Sequence, residues 1–164
     1  LEQLRKNRFE ADGLFYNPNI HGFAEFVNRK NALIDFSKVA DFEVIISEYK
    51  PEEFFACIGS NQSKPGRCAL CWSLRLKKTA QVAKEKKYSH FSSTLLVSPY
   101  QDHTMLKEIG LNIAREEGVE FYYEDFRPGF KDAQAQARAK NLYMQKYCGC
   151  IYSEVERAKE KSHV

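Results

Sequence analysis

Asp102-His-Thr-Met-Leu-Lys-Glu-Ile-Gly-Leu-Asn-Ile-Ala-Arg-Glu-Glu-Gly118, running straight into Val119-Glu-Phe-Tyr-Tyr123, is the stretch whose reading decides the fold. Leu106, Ile109 and Ile113 recur at the spacing of one helix face. Asp102 is of a type that caps a helix start, and Gly118 of a type that closes one. The aromatic and β-branched residues 119–123 read as a strand. Residues 91–97 read as another, stopped by Ser98-Pro99. Strand, helix and strand in immediate succession form a βαβ unit, whose strands lie parallel.

The same alternation continues outward. Gly13-Leu-Phe-Tyr16 is a short apolar run stopped by the turn signal Asn17-Pro18-Asn19. Phe23, Phe26, Val27, Leu33 and Ile34 place a helix over 22–40, and Glu43-Val-Ile-Ile46 reads as a strand. Pro51 suits the first position of a short helix through Phe54 and Phe55. The polar residues 59–66 form a loop. Residues 68–87 form a helix with Leu76, Ala80 and Ala83 on one face, and 131–140 form another. The expected fold is α/β: one domain over residues 1–164, with a parallel sheet covered by helices on both faces. Residues 154–164 read as a solvated helix end that frays. Leu1-Glu-Gln-Leu-Arg-Lys-Asn-Arg8 reads as the back half of an amphipathic helix without a cap, so a preceding strand and helix start are expected. In open parallel sheets, ligands bind beyond the carboxyl ends of the strands. Asn17 to Asn19, Ser98-Pro99 and Asp125-Phe-Arg127 each follow a strand end and are expected on one rim.

The 164 residues carry a net charge of +3, too mild to demonstrate nucleic-acid binding. No apolar run has the length of a membrane span and no secretory segment opens the chain, so a soluble, cytoplasmic protein is expected. Four of the five cysteines fall in two tight pairs, Cys68-Ala-Leu-Cys71 and Cys148-Gly-Cys150. That clustering suits an intracellular metal or redox site better than a secreted disulfide scaffold.

At a helix start, Cys68 and Cys71 share a face and can reach one ion. The helix N-terminus and Arg67 both favour the thiolates that ligation needs. Two sulfurs are half of what zinc or a cubane cluster takes, and two unrelated packing cysteines would look the same. Cys148 and Cys150 could form a strained, labile disulfide or complete the metal site begun by Cys68 and Cys71. Cys57, in an apolar stretch, reads as core. His21 and His103 fall near strand ends, where each could be a proton donor or a ligand, although a lone histidine is more often a surface or satisfied structural residue. Asp125 and Arg127 could position a substrate or pair with each other. Two basic groups could hold RNA phosphates beside Tyr143, Tyr147 and Tyr152, or be solvated helix faces. One is Arg75, Lys77, Lys78, Lys84, Lys86 and Lys87; the other is Arg138, Lys140 and Lys146.

Five strings occur together in order: Phe15-Tyr-Asn-Pro-Asn-Ile-His21, Arg67-Cys-Ala-Leu-Cys71, Ser92-Ser-Thr-Leu-Leu-Val-Ser-Pro99, Asp125-Phe-Arg127 and Tyr147-Cys-Gly-Cys150. Across residues 13–153 the chain resembles the QueH family of epoxyqueuosine reductases. That resemblance implies a Rossmann-like domain related to adenine-nucleotide-hydrolase-type folds. It implies reduction of epoxyqueuosine to queuosine at the wobble position of tRNA, the last step of queuosine biosynthesis. It implies a [4Fe-4S] cluster with Cys68 and Cys71 among its ligands, and an additional mononuclear iron. Cys148 and Cys150 match the family's redox-active disulfide, which an electron donor of unknown identity would serve. Candidates for the proton donor are Asp125, His21 and Tyr16. One departure stands out. The family carries an adjacent Cys-Cys pair followed by Ala-Pro after its first strand, supplying the other cluster ligands, and this chain has no adjacent cysteines.

Two other classes compete. A zinc-stapled RNA-binding module without catalysis would use the same sulfurs. An ATP-using RNA-modifying enzyme is suggested by fold analogy alone and would need a Gly/Ser-rich phosphate loop.

Overall fold

The computed structural model describes residues 1–162. The chain runs α1 (Glu2–Lys6), β1 (Gly13–Phe15), α2 (Phe23–Ala40), β2 (Val44–Ile46), α3 (Pro51–Ile58), α4 (Gly66–Glu85), β3 (His90–Phe91), α5 (His103–Glu117), β4 (Glu120–Phe121), α6 (Phe130–Ala139) and α7 (Ile151–Ser162). It is an α/β, Rossmann-like arrangement with parallel strands.

The helix ends follow local chemistry. The Asp102 side chain accepts a hydrogen bond from the Met105 amide at 3.0 Å, and Gly118 closes α5 in the left-handed conformation. Such an N-cap contributes about 1 kcal/mol. Pro51 sits in the first turn of α3, where its missing N–H costs nothing. Leu76, Ala80 and Ala83 of α4 face Leu106 and Ile113 of α5, with Phe91 and Phe121 from the strands between them. Gly110 lets α5 approach the Phe121 ring, since an added Cβ would overlap it.

Two sequence expectations are corrected. The strand expected over 91–97 ends at Phe91, and Thr94–Val97 forms a 3₁₀ turn. Serine side chains cause the break. Ser93 Oγ accepts from the Leu95 amide at 3.2 Å, and Ser92 Oγ donates to the Tyr122 carbonyl at 2.9 Å in place of a ladder bond. The turn puts Leu96 fully inside. The single expected sheet is, among the described residues, two separate parallel pairs, β1 with β2 and β3 with β4. Side chains join the pairs: the Tyr88 hydroxyl donates to Asp12, and Phe9 packs edge-on against Tyr122 at 4.7 Å and His90 at 5.3 Å.

Residues 154–162 continue α7, and Glu156 ties that helix to Arg67 at 2.8 Å. Residues 163 and 164 of the expected frayed tail lie outside the described ones. Among the described residues no helix is long and apolar enough to cross a membrane.

Candidate active site

Cys68 and Cys71 lie in the first turns of α4. Cys150 immediately precedes α7 and its carbonyl accepts from the Glu154 amide at 3.1 Å, so it stands at the helix N-cap. Cys71 and Cys150 share one buried cluster with Phe54 and Ile58 of α3. The Cys148 sulfur lies close enough to Cys68 and Cys71 to disfavour charge on either. The fold thus brings together two pairs that are far apart in sequence.

The four sulfurs differ in environment. Burial pushes the Cys71 thiol up to about 11 and raises Cys68 as well. The expected lowering by Arg67 is real but smaller than the desolvation. Arg67 is 2 % exposed, and its guanidinium is committed elsewhere. It bonds the Gln62 carbonyl and Glu156 and lies over the Tyr152 ring at 5.3 Å. Cys148 is exposed and its thiol is pushed down to about 5. The cause is the Cys150 thiol, which donates to it, helped by the Cys150 amide and the Ser153 side chain. Cys150 is raised accordingly. The arrangement is a dithiol with one exposed thiolate and one buried proton donor.

Two segments hold the Cys148-Gly149-Cys150 turn, the loop through Asn19 and His21 and the helix α2. Asn19 Nδ2 donates to the Cys148 carbonyl at 3.0 Å, and the His21 amide donates to the Gly149 carbonyl at 2.9 Å. The Ile151 amide donates to His21 Nδ1 at 2.9 Å, which leaves the proton on Nε2. Arg29 of α2 donates to the Tyr147 carbonyl at 3.0 Å and the Cys148 carbonyl at 3.2 Å. Gly149 adopts φ +104°, and an added Cβ would lie 2.8 Å from Ile20 Cγ1, so only glycine fits. Buried polar atoms without partners collect on this side: Asn19 Oδ1, His21 Nε2 and Arg75 Nε. Arg75 is anchored by Asn17 Oδ1 at 2.9 Å and lies near Cys71 and Cys148. Groups left orphaned like this are expected where a bound group completes the site.

The remaining candidates take defined places. His21 stacks on Phe55 at 4.6 Å and meets Phe54 edge-on, and burial lowers its pKa, so it is neutral near pH 7. Tyr16 donates to Glu53, and burial with that bond raises its pKa. Both line a cleft of about 460 Å³ with Cys57, Leu70, Lys77 and Lys78. Asp125 accepts from Arg127 Nε at 2.8 Å and Nη2 at 2.5 Å, and that pairing holds its carboxyl well below the usual range. His103 Nε2 bonds the Ser98 carbonyl at 3.3 Å and its ring meets Tyr123 edge-on. The three strand-end segments therefore gather in two groups, Asn17 to Asn19 against Arg75 and Cys148, and Ser98 with Asp125 around His103.

Of the tyrosines expected to stack on RNA, Tyr147 and Tyr152 are already faced by Arg29 and Arg67. Tyr100, 83 % exposed, is an aromatic face left open that the periodicity gave no reason to single out. Lys78, Lys84, Lys86, Lys87, Arg138, Lys140 and Lys146 are exposed, while Lys77 pairs with Glu116 at 3.4 Å.

The donor set fits part of a cubane cluster. Cys68 and Cys71 present two sulfurs from one helix face, and ligation would relieve the cost of burying them. Among the described residues no group of three or more His, Cys, Asp or Glu could hold a single metal ion.

Comparison with known proteins assigns the chain to a family. The model of the family "Epoxyqueuosine reductase QueH" matches residues 1–156. A protein of that name from Dehalococcoides mccartyi is 39 % identical over 91 % of this chain and 81 % of its own length. Its namesake from Thermotoga maritima is 31 % identical over 94 % of this chain and 85 % of its own. A third, from Helicobacter pylori, is 33 % identical over 86 % of this chain and 41 % of its own. With its paired cysteines gathered at one place and a match of this extent, the chain belongs to the QueH family of epoxyqueuosine reductases, oxidoreductases of queuosine biosynthesis.

Proposed function

We propose that this chain removes the epoxide oxygen of epoxyqueuosine at the wobble position of a cytoplasmic tRNA. In this reading Cys148 and Cys150 are its redox-active dithiol, and a [4Fe-4S] cluster is held in part by Cys68 and Cys71. The observation that carries the reading is the meeting of the two cysteine pairs at one buried edge, with thiols of opposite character at Cys148 and Cys150.

Opening the epoxide and expelling its oxygen as water takes two electrons and two protons. Oxidation of the dithiol to a disulfide releases the same number of each. When bound, the cluster supplies single-electron transfer next to this pair. An external reductant, whose identity the chain does not specify, returns the disulfide to the dithiol. Ligands for an additional mononuclear iron are not assigned to residues of this chain.

Among the three candidate acids, His21 is the one bonded to the thiol turn, and its buried Nε2–H has no other partner to give up before it donates to the leaving oxygen. Asp125 is held ionised by Arg127, and Tyr16 is committed to Glu53. The RNA must present an unstacked base. Tyr100 offers it a stacking face, and the exposed lysines and arginines offer phosphate contacts.

Two measurements test this. In Cys148→Ser and Cys150→Ser, loss of the epoxide from tRNA with a chemical reductant supplied should stop, and full activity in both variants would remove the pair from the mechanism. Anaerobic metal analysis of the full-length protein, with the family's Cys-Cys pair present, should find a brown protein with about four irons and four sulfides. A colourless protein with one zinc would instead establish the stapled RNA-binding module.

A further inference from the structure

We infer that Arg29 is a positioning residue for the thiol pair: it sets how readily Cys148 and Cys150 form their disulfide. The inference rests on the redox reading of that pair. The pair sits at the end of residues 140–150, which contain no helix or strand between α6 and α7. Backbone of that kind has no ladder of its own to hold it, so its geometry comes from outside groups.

Arg29 supplies most of that support. Its side chain is 9 % exposed. Nη2 donates to the Tyr147 carbonyl at 3.0 Å, and Nη1 to the Cys148 carbonyl at 3.2 Å and to Gln145 Oε1 at 2.8 Å. The guanidinium also lies 5.4 Å from the centre of the Tyr147 ring. The fork is itself fixed: Nε and Nη2 both bond Glu25 Oε1, at 2.8 and 2.7 Å, and Glu25 accepts from Tyr143 of the same segment. Asn19 and the His21 amide take the Cys148 and Gly149 carbonyls from the neighbouring loop. Three consecutive carbonyls, of residues 147, 148 and 149, are therefore all held, and Arg29 holds two of them.

The consequence concerns the sulfurs. With the backbone fixed at Gly149, the two thiols are kept on one tight turn, two residues apart. Holding two reacting groups together raises their effective concentration and favours the intramolecular bond. A planar fork that bonds three acceptors and a carboxylate at once is something lysine, a point charge, cannot replace.

The test equilibrates the full chain anaerobically in buffers of varied glutathione to glutathione-disulfide ratio, with acid quench and mass spectrometry of the 148–150 peptide. The balance is complete. Cys148 and Cys150 lose two electrons and two protons as their S–S bond forms, and one glutathione disulfide is cleaved to two thiols. Arg29→Gln should lower the equilibrium constant for the protein disulfide roughly tenfold, and Arg29→Lys by about threefold. Far-UV circular dichroism and an unchanged alkylation rate at Cys57 establish that each variant is folded. Arg29→Lys keeps the test open if Arg29→Gln does not fold. A constant within about twofold of wild type in folded Arg29→Gln, or a higher one in either variant, overturns the role of Arg29 while the redox pair stands. A wild-type protein that forms no 148–150 disulfide at any ratio removes the redox reading and this inference together.

Discussion

Cys71 of α4 and Cys150 at the start of α7 pack side by side in one cluster closed by Phe54 and Ile58. Each is buried, but their partners differ. Cys68 is half-buried and kept neutral by desolvation, whereas Cys148 is exposed and accepts a hydrogen bond from Cys150. A ligand-type pair and a redox-type pair can therefore adjoin without being interchangeable.

The contrast predicts unequal reactivity in metal-free protein. The thiolate is the nucleophile, so Cys148, pushed down to about 5, should react with iodoacetamide at a rate that is flat from about pH 9 to pH 6. Below about 5 its rate should fall roughly tenfold per unit. Cys71, pushed up to about 11, should stay almost unlabelled across that range. Peptide mass spectrometry reads both. A Cys148 rate still climbing between pH 7 and 9 would contradict the assignment.

Much of the fold was legible because its signals are local. Asp102, the apolar face through Ile113 and Gly118 define α5 within a residue, and Pro51 defines α3. The strand expected over 91–97 was not legible, since its end depends on Ser92 reaching Tyr122 across the sheet edge. The site divides in the same way. The pairs at 68 and 71 and at 148 and 150 stand out by spacing, but nothing in the spacing says that they meet. Arg67 looks like the neighbour that activates Cys68, yet its charge goes to Glu156 in another helix. Arg29 and Glu25 belong to no motif that the sequence offers. Only tertiary packing turns Arg29 toward the carbonyls of 147 and 148.

Glu156 should carry measurable stability. It answers Arg67, a charge 2 % exposed, and leaving such a group without its partner is costly. Glu156→Ala should lower unfolding free energy by about 2–3 kcal/mol in urea titration. Glu156→Gln should cost about 1 kcal/mol, because an amide oxygen still accepts. A loss under about 0.5 kcal/mol for the alanine variant would mean an ordinary surface pair.

Two glycines separate backbone strain from collision. Gly118 and Gly149 both have positive φ, +72° and +104°. A Cβ at Gly118 meets nothing within 4 Å, whereas at Gly149 it lies 2.8 Å from Ile20 Cγ1 and 3.2 Å from Ile20 Cα. Gly118→Ala should cost about 1 kcal/mol from conformation alone. Gly149→Ala should cost at least about 2 kcal/mol, since the loop backbone must also move. Equal losses in thermal or urea unfolding would show that Ile20 does not confine the turn.

His21 gives the protein a pH dependence with a defined sign. Burial lowers its pKa, so between that value and the ordinary one near 6.5 the unfolded chain holds a proton that the folded chain does not. The contribution of His21 is full above about pH 7 and declines as pH falls through about 6.5, by at most about 1.4 kcal/mol per unit. Glu25, Asp125 and Glu156, whose carboxyls are held low, lose their contributions only below the carboxylate range, whereas Cys148, pushed down to about 5, loses stability across the same window in wild type and variant alike, so the His21 share is the difference between the two. His21→Asn removes the titrating ring while keeping an acceptor for the Ile151 amide. Urea midpoints at pH 7.5, 6.5 and 5.5 should fall for both proteins, and more steeply for wild type than for the variant. Parallel declines in the two proteins would show that the imidazole accepts a proton as easily in the fold as outside it, despite the Ile151 amide at Nδ1 and the rings of Phe54 and Phe55 around it.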